Sequence, residues 1–179
     1  MKQIKIVYLI LLQLFICFNI YSQELIKDTF IDPRDNQTYN IVKYGNTSLF
    51  AENLRYKTNT SWSFNNDTLN DIKQGRYYTY EEAVNVCPVG WELINLSDES
   101  TNEIIIKYWN TIKENDPIFT GRIVNGYSIN AGTAHWWVQS ENLKSANNDR
   151  LSLYFLFSIL EIAEFPKDRG FSVRCVKKN

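Results

Sequence analysis

Two cysteine-bearing stretches, far apart in the chain, constrain it most: residues 79–93, TYEEAVNVCPVGWEL, and residues 170–176, GFSVRCV. Thr79 with Glu82 three residues later forms a capping box, in which the threonine oxygen accepts the Glu82 N–H and the glutamate reaches back to the cap's own N–H. This predicts a short helix starting at Tyr80. Ala83, Val84 and Cys87 fall on one of its faces, and Pro88 ends it by disfavouring helical geometry at Cys87. Gly90 permits a tight reversal into Trp91. In the second stretch Phe171, Val173 and Cys175 alternate with Ser172 and Arg174, the period-two pattern of a half-buried strand, so Cys175 is expected to point inward.

Residues 1–22 read as a secretory leader. Lys2 and Lys5 form a positive n-region, Ile6 to Ile16 is an apolar run broken only by Gln13, and the small Ser22 precedes Gln23. The run is too short for a comfortable membrane span, so no span is expected in the mature chain. A lipid anchor at Cys17 would want a small residue before it, and Ile16 is not small; cleavage is expected after Ser22. Cys17 leaves with the leader, and Cys87 and Cys175 remain in an extracytoplasmic, disulfide-permissive compartment, secreted or at the cell surface. Residues 23–179 then form one domain, long enough to hide about 68–70% of its unfolded surface. Net charge is −1 and the pI about 5.9, so there is no basic footprint for nucleic acid.

Along the mature chain, residues 29–32 and 38–44 read as two strands joined by the turn residues Pro33-Arg34-Asp35-Asn36-Gln37. Gly45-Asn46 makes a second turn and SLFAENL, 48–54, a third short strand. Residues 57–73 are polar, with Trp62, Phe64 and Leu69 as anchors of a surface loop. Ser97 is the expected N-cap of a second helix running to about Lys113, with Asp98 and Glu99 favourably placed in its first turn. Ile105, Tyr108, Trp109 and Ile112 share its core face. Residues 115–150 lose regularity and read as the longest loop territory, holding Tyr127, His135, Trp136 and Trp137. Residues 151–157 read as a buried apolar strand, 161–165 as another, and 166–170 as a turn.

In order, DPRDNQTYNIVKYGN, AENL, RYYTYEEAVNVCPVGWEL, WWVQSE and GFSVRCV resemble the Fibrobacter succinogenes major paralogous domain, a family of secreted and lipoprotein modules, over Thr29 to Lys177. Known members look related to the C-type lectin-like fold and, more distantly, to the formylglycine-generating enzymes. The resemblance implies an α+β, C-type lectin-like fold, two helices packed on small antiparallel sheets with long loops. It also implies a Cys87–Cys175 disulfide tying the first helix to the last strand. Adjacent residues of a strand face opposite ways, and the family's recurrent tryptophan before the polar segment matches Trp137, which puts Trp137 in the core and Trp136 outside. Leu49-Phe50 stands where the family has Trp before AENL, and Ile94-Asn95-Leu96-Ser97 replaces a shorter Leu-Pro-Thr segment. The Glu-Pro-Asn, Gln-Pro-Asp and Trp-Asn-Asp triplets with which sugar-binding C-type lectins hold calcium are missing, so no calcium site is expected.

Enzymatic chemistry finds little to use. His135 is the only histidine, no Gly-x-Ser-x-Gly surrounds a serine, and one histidine with two bonded cysteines cannot build a usual zinc site. The 20 acidic residues offer carboxylate pairs, but no spacing singles one out. The expectation is a binding or adhesion module without catalysis, cofactor or metal, recognising a protein or glycan through loops that carry Tyr127, His135 and Trp136. A small extracytoplasmic polysaccharide hydrolase, or a structural or assembly protein, is the alternative.

Overall fold

The computed structural model describes residues 24–112, 120–129, 132–141, 149–156 and 159–179; the leader expected over 1–22 lies outside them. Of the described residues 41% are in strands or bridges and 20% are helical. The expected α+β, C-type lectin-like arrangement of two helices on sheets is therefore corrected: the chain is mostly β, in three small antiparallel sheets. A five-stranded sheet runs β1 (Ile26–Ile31), β2 (Thr38–Tyr44), β3 (Thr47–Phe50), then β10 (Cys175–Lys178) and β4 (Glu92–Leu93). A hairpin joins β5 (Arg122–Val124) and β6 (Tyr127–Ile129), and a three-stranded sheet runs β7 (Thr133–Trp137), β8 (Arg150–Leu156), β9 (Ile159–Phe165). Among the described residues the α-helices are α1 (Asp71–Gln74), α2 (Tyr80–Ala83) and α3 (Glu99–Ile112), and only α3 exceeds a single turn.

Local chemistry explains both helix corrections. Thr79 Oγ1 does accept the Glu82 N–H at 3.3 Å, but the Glu82 carboxylate takes the Thr58 hydroxyl at 2.5 Å instead of returning to the cap. The helix stops after Ala83. Val84 consequently lies outside and Val86 turns into the core. The cap of α3 is Asp98, whose Oδ1 accepts the N–H groups of Ser100 at 2.9 Å and Thr101 at 3.2 Å. Ser97 Oγ is engaged elsewhere, by the Glu141 N–H at 2.8 Å.

The territory expected to be loop holds β5, β6 and β7. Asn125 and Gly126 have φ of 51° and 80°, the left-handed pair that two-residue type I′ hairpins require. Near the C-terminus, residues 171–176 are buried throughout, which corrects the half-buried strand. Ser172 donates its N–H to the His135 carbonyl at 3.1 Å while Trp137 donates to Ser172 at 3.1 Å, so this segment is sandwiched rather than lying on a surface. Gly170 sits so close to Ile123 that an added Cβ would come within 2.6 Å of the isoleucine Cβ. In the 57–73 stretch Phe64 is buried and Trp62 half-buried, but Leu69 is exposed and anchors nothing.

Among the described residues two large hydrophobic cores result, beside a small cluster of Phe64, Tyr77 and Ile123. One gathers Val42 and Leu49 of the large sheet, Ile104, Ile105, Tyr108 and Trp109 of α3, and Trp136, Leu153 and Phe155. The other gathers Tyr39, Ile41 and Phe50 from the sheet's opposite face with Tyr78, Ala83, Trp91, Trp137, Phe171 and Cys175. Because side chains alternate across a strand, consecutive residues Ile41-Val42, Leu49-Phe50 and Trp136-Trp137 feed different cores. Burial on both faces explains why these strands do not alternate apolar with polar.

Candidate functional site

Cys87 and Cys175 are disulfide-bonded, with Cα atoms 5.8 Å apart and 88 residues of sequence separation. The three candidate ligand residues are not brought together. His135 is fully buried, its ring stacked on Phe171 at 4.5 Å and set edge-on to Phe165 at 4.9 Å. Nε2 faces the Arg122 guanidinium at 3.1 Å and Nδ1 has no partner among the described residues. Burial, with a smaller contribution from Arg122, pulls its pKa down to about 3, so the ring is neutral and inside. Trp136 is 1% exposed and Trp137 0%: the expectation that Trp136 stands outside is overturned, because the core beneath α3 covers its face of β7 as the other core covers that of Trp137. Trp136 packs on Phe155 at 4.3 Å. Tyr127 alone reaches solvent, on the β5–β6 hairpin and 77% exposed.

The surface offers a groove between the outer strands of the large sheet and α3, with a volume of about 830 Å³. This lies within the range of small-ligand sites. Val42, Ala51, Tyr108 and Ile112 supply apolar lining. Lys27, Asp28, Asn40, Glu52 and Lys107 supply polar lining. Much of that charge is internally matched. Asp28 meets Lys43 at 2.5 Å, and hydrogen bonds from the Lys43 ammonium and the Thr29 N–H hold its carboxyl below the usual range. Glu52 meets Arg55 at 2.8 Å and accepts from the Asn40 amide. Lys107 places its ammonium 5.5 Å from the Tyr44 ring centroid. A second groove of about 770 Å³ lies where α3 approaches β9, lined by Ile105, Ile106, Leu153, Leu160 and Ile162, with Glu161 its only charged side chain among the described residues.

Sequence reasoning missed both grooves. The first is made by the spacing between β1–β2 and α3, a tertiary quantity without a local signature. Among the described residues, no group of three or more His, Cys, Asp or Glu is placed to hold a metal ion, and no helix is long and apolar enough to cross a membrane. No family model matches the chain, and no curated protein or solved structure matches it either.

Proposed function

We propose that this chain is an extracytoplasmic binding module, exported through the leader at 1–22 and related to the Fibrobacter succinogenes major paralogous domain through its CPVGW and GFSVRCV elements. It recognises a protein or glycan ligand without transforming it. The groove between the large sheet and α3 carries this reading: it is of ligand size, part apolar, part hydrogen-bonding. The disulfide suits life outside the cytoplasm. A carboxylate-pair hydrolase needs an acid whose pKa is raised beside a second, ionised carboxylate. Asp28 is instead held low by Lys43, and Glu52 is tied to Arg55.

The test is a glycan array run beside a reducing-sugar release assay on the exported chain. Saturable binding without release is expected, weakened by Lys107→Glu. Release of reducing ends would overturn the reading, and loss of binding in Tyr127→Ala but not in Lys107→Glu would move the site to the β5–β6 hairpin.

A further inference from the structure

The parity of hydrogen bonding along β1 shows what its free edge offers. Asp32 donates its N–H to the Gln37 carbonyl at 2.9 Å, extending the register that runs from Ile26↔Lys43 to Ile31↔Thr38. Ala51 donates to the Asn40 carbonyl on the far side of β2. Antiparallel partners alternate between bonded and non-bonded pairs, so Ile26, Asp28 and Phe30 bond to β2, while Leu25, Lys27, Thr29 and Ile31 turn their N–H and C=O groups outward. The Thr29 N–H agrees: its acceptor is the neighbouring Asp28 carboxylate, at 2.7 Å in an exposed position. Among the described residues β1 ends its sheet, and an open edge of this kind is a template for another strand.

The charge beside that edge selects the strand. Lys27 pairs with Val42, whose side chain belongs to the core beneath α3. Alternation therefore puts Lys27 on the side of the sheet from which Lys107 of α3 rises, and both line the groove. Asp28 and Glu52 are taken by Lys43 and Arg55. Lys27 and Lys107 have no carboxylate within ion-pair distance among the described residues, and Glu24 at the groove's end is the one carboxylate of the lining without a cation.

We infer that the groove takes an extended acidic peptide, added as a sixth strand to the outer edge of β1. Its carboxylates stand at alternate positions and meet Lys27 and Lys107, and its apolar residues fall on the side of Ile26 and Phe30. The inference rests on the binding-module reading and names its ligand class.

The probes are fluorescein-labelled acetyl-(Val-Glu)4-amide and acetyl-(Val-Lys)4-amide, titrated by anisotropy against the full exported chain. The acidic peptide should bind at least tenfold tighter. Lys27→Glu with Lys107→Glu should invert the preference. Thr29→Pro, which removes an outward donor but no β1–β2 bond, should weaken binding at least tenfold. Hydrogen exchange on the unsubstituted chain reads the same contact without relying on that variant: the amides of Lys27, Thr29 and Ile31 should gain protection on peptide binding, and those of Asp28 and Phe30 should not change. Absence of binding by both peptides at millimolar concentration overturns the inference. So does affinity indifferent to the charge reversal, or sedimentation showing that the edge is closed by a second copy of the chain. A glycan-array hit without peptide binding overturns this inference alone, whereas silence in both assays overturns the binding-module reading with it.

Discussion

Trp136 and Trp137 are adjacent and equally buried, yet the two sides of β7 treat them differently. Trp137 donates its indole N–H to the Tyr78 carbonyl at 2.7 Å, in a core closed by the Cys87–Cys175 bond, with Tyr80 edge-on to its ring and Phe171 tilted against it. Trp136 leaves its indole N–H without a partner among the described residues and lies 4.0 Å beneath the guanidinium of Arg174, another group with an unpartnered buried nitrogen. One core is cross-linked and satisfies the Trp137 indole, although His135, stacked on its Phe171, keeps an Nδ1 without a partner among the described residues. The other, which floors the groove, is held by packing and keeps polar groups at a cost. Departures from full satisfaction of this kind gather where a fold gives up stability for function.

The largest test of that contrast is the cross-link. On a chain-entropy account, closing an 88-residue separation is worth about 4–5 kcal/mol, comparable with the net stability of many domains. Cys87→Ala with Cys175→Ala, or reduction, should therefore lower the denaturant midpoint steeply. Equal unfolding of oxidised and reduced protein would break the comparison, and thiol titration of the unfolded, unreduced exported chain should find none at Cys87 or Cys175. Next come the tryptophans: each substitution to Ala should cost about 3–5 kcal/mol, whereas only Trp137→Phe also loses a hydrogen bond, worth about 1 kcal/mol. Denaturant melts in which Trp136→Phe is the more damaging variant would show that the two sides are mistaken for one another.

His135 probes the Trp137 side of β7, where its ring packs on Phe171 and Phe165. Its folded pKa of about 3 lies below the ordinary value of 6.5, so the unfolded chain binds the proton first. The contribution of a neutral His135 is complete above pH 6.5 and is lost as pH falls toward 3. At about 1.4 kcal/mol per pH unit, stability should drop by about 2 kcal/mol between pH 6.5 and 5. His135→Phe should flatten that part of the profile, and an unchanged slope in the variant would show that another group titrates.

Much of the first half of the molecule is legible because its instructions are local. The turn at Pro33 to Gln37, the Gly45-Asn46 reversal and the Thr79 cap each lie within a few residues, and each forms near where its pattern places it. The second half misleads for a physical reason. TAHWW of β7 is buried along its whole length, and a strand covered on both faces carries no alternation to distinguish it from irregular chain. Conversely, Ser172 and Arg174 supply an alternation that suggests a solvent face, but both are buried, which only contacts from distant residues can arrange. Asn125-Gly126 was a readable hairpin signal obscured by the glycines around it. The groove had no local signal, since its two walls are joined only in space.

Arg174 gives the smallest and most discriminating test. Its guanidinium is buried, donates Nε–H to Asn53 Oδ1 at 3.0 Å, and lies over Trp136 at 4.0 Å and Tyr108 at 5.3 Å. No carboxylate pairs with it among the described residues. A planar cation can stack and donate sideways at once; an ammonium cannot, and it is more strongly hydrated. Arg174→Lys keeps the buried charge and loses the stacking and the Asn53 bond, so it should cost about 1–2 kcal/mol. Arg174→Met loses the same contacts but also removes the charge's desolvation, and replacing a buried ion by an apolar side chain of similar volume is often neutral or stabilising. Met should therefore be tolerated better than Lys, the reverse of the order that chemical similarity suggests. If thermal melts place Lys above Met, the charge at 174 has a partner, and the core beneath the groove does not carry an unpaired cation at a cost.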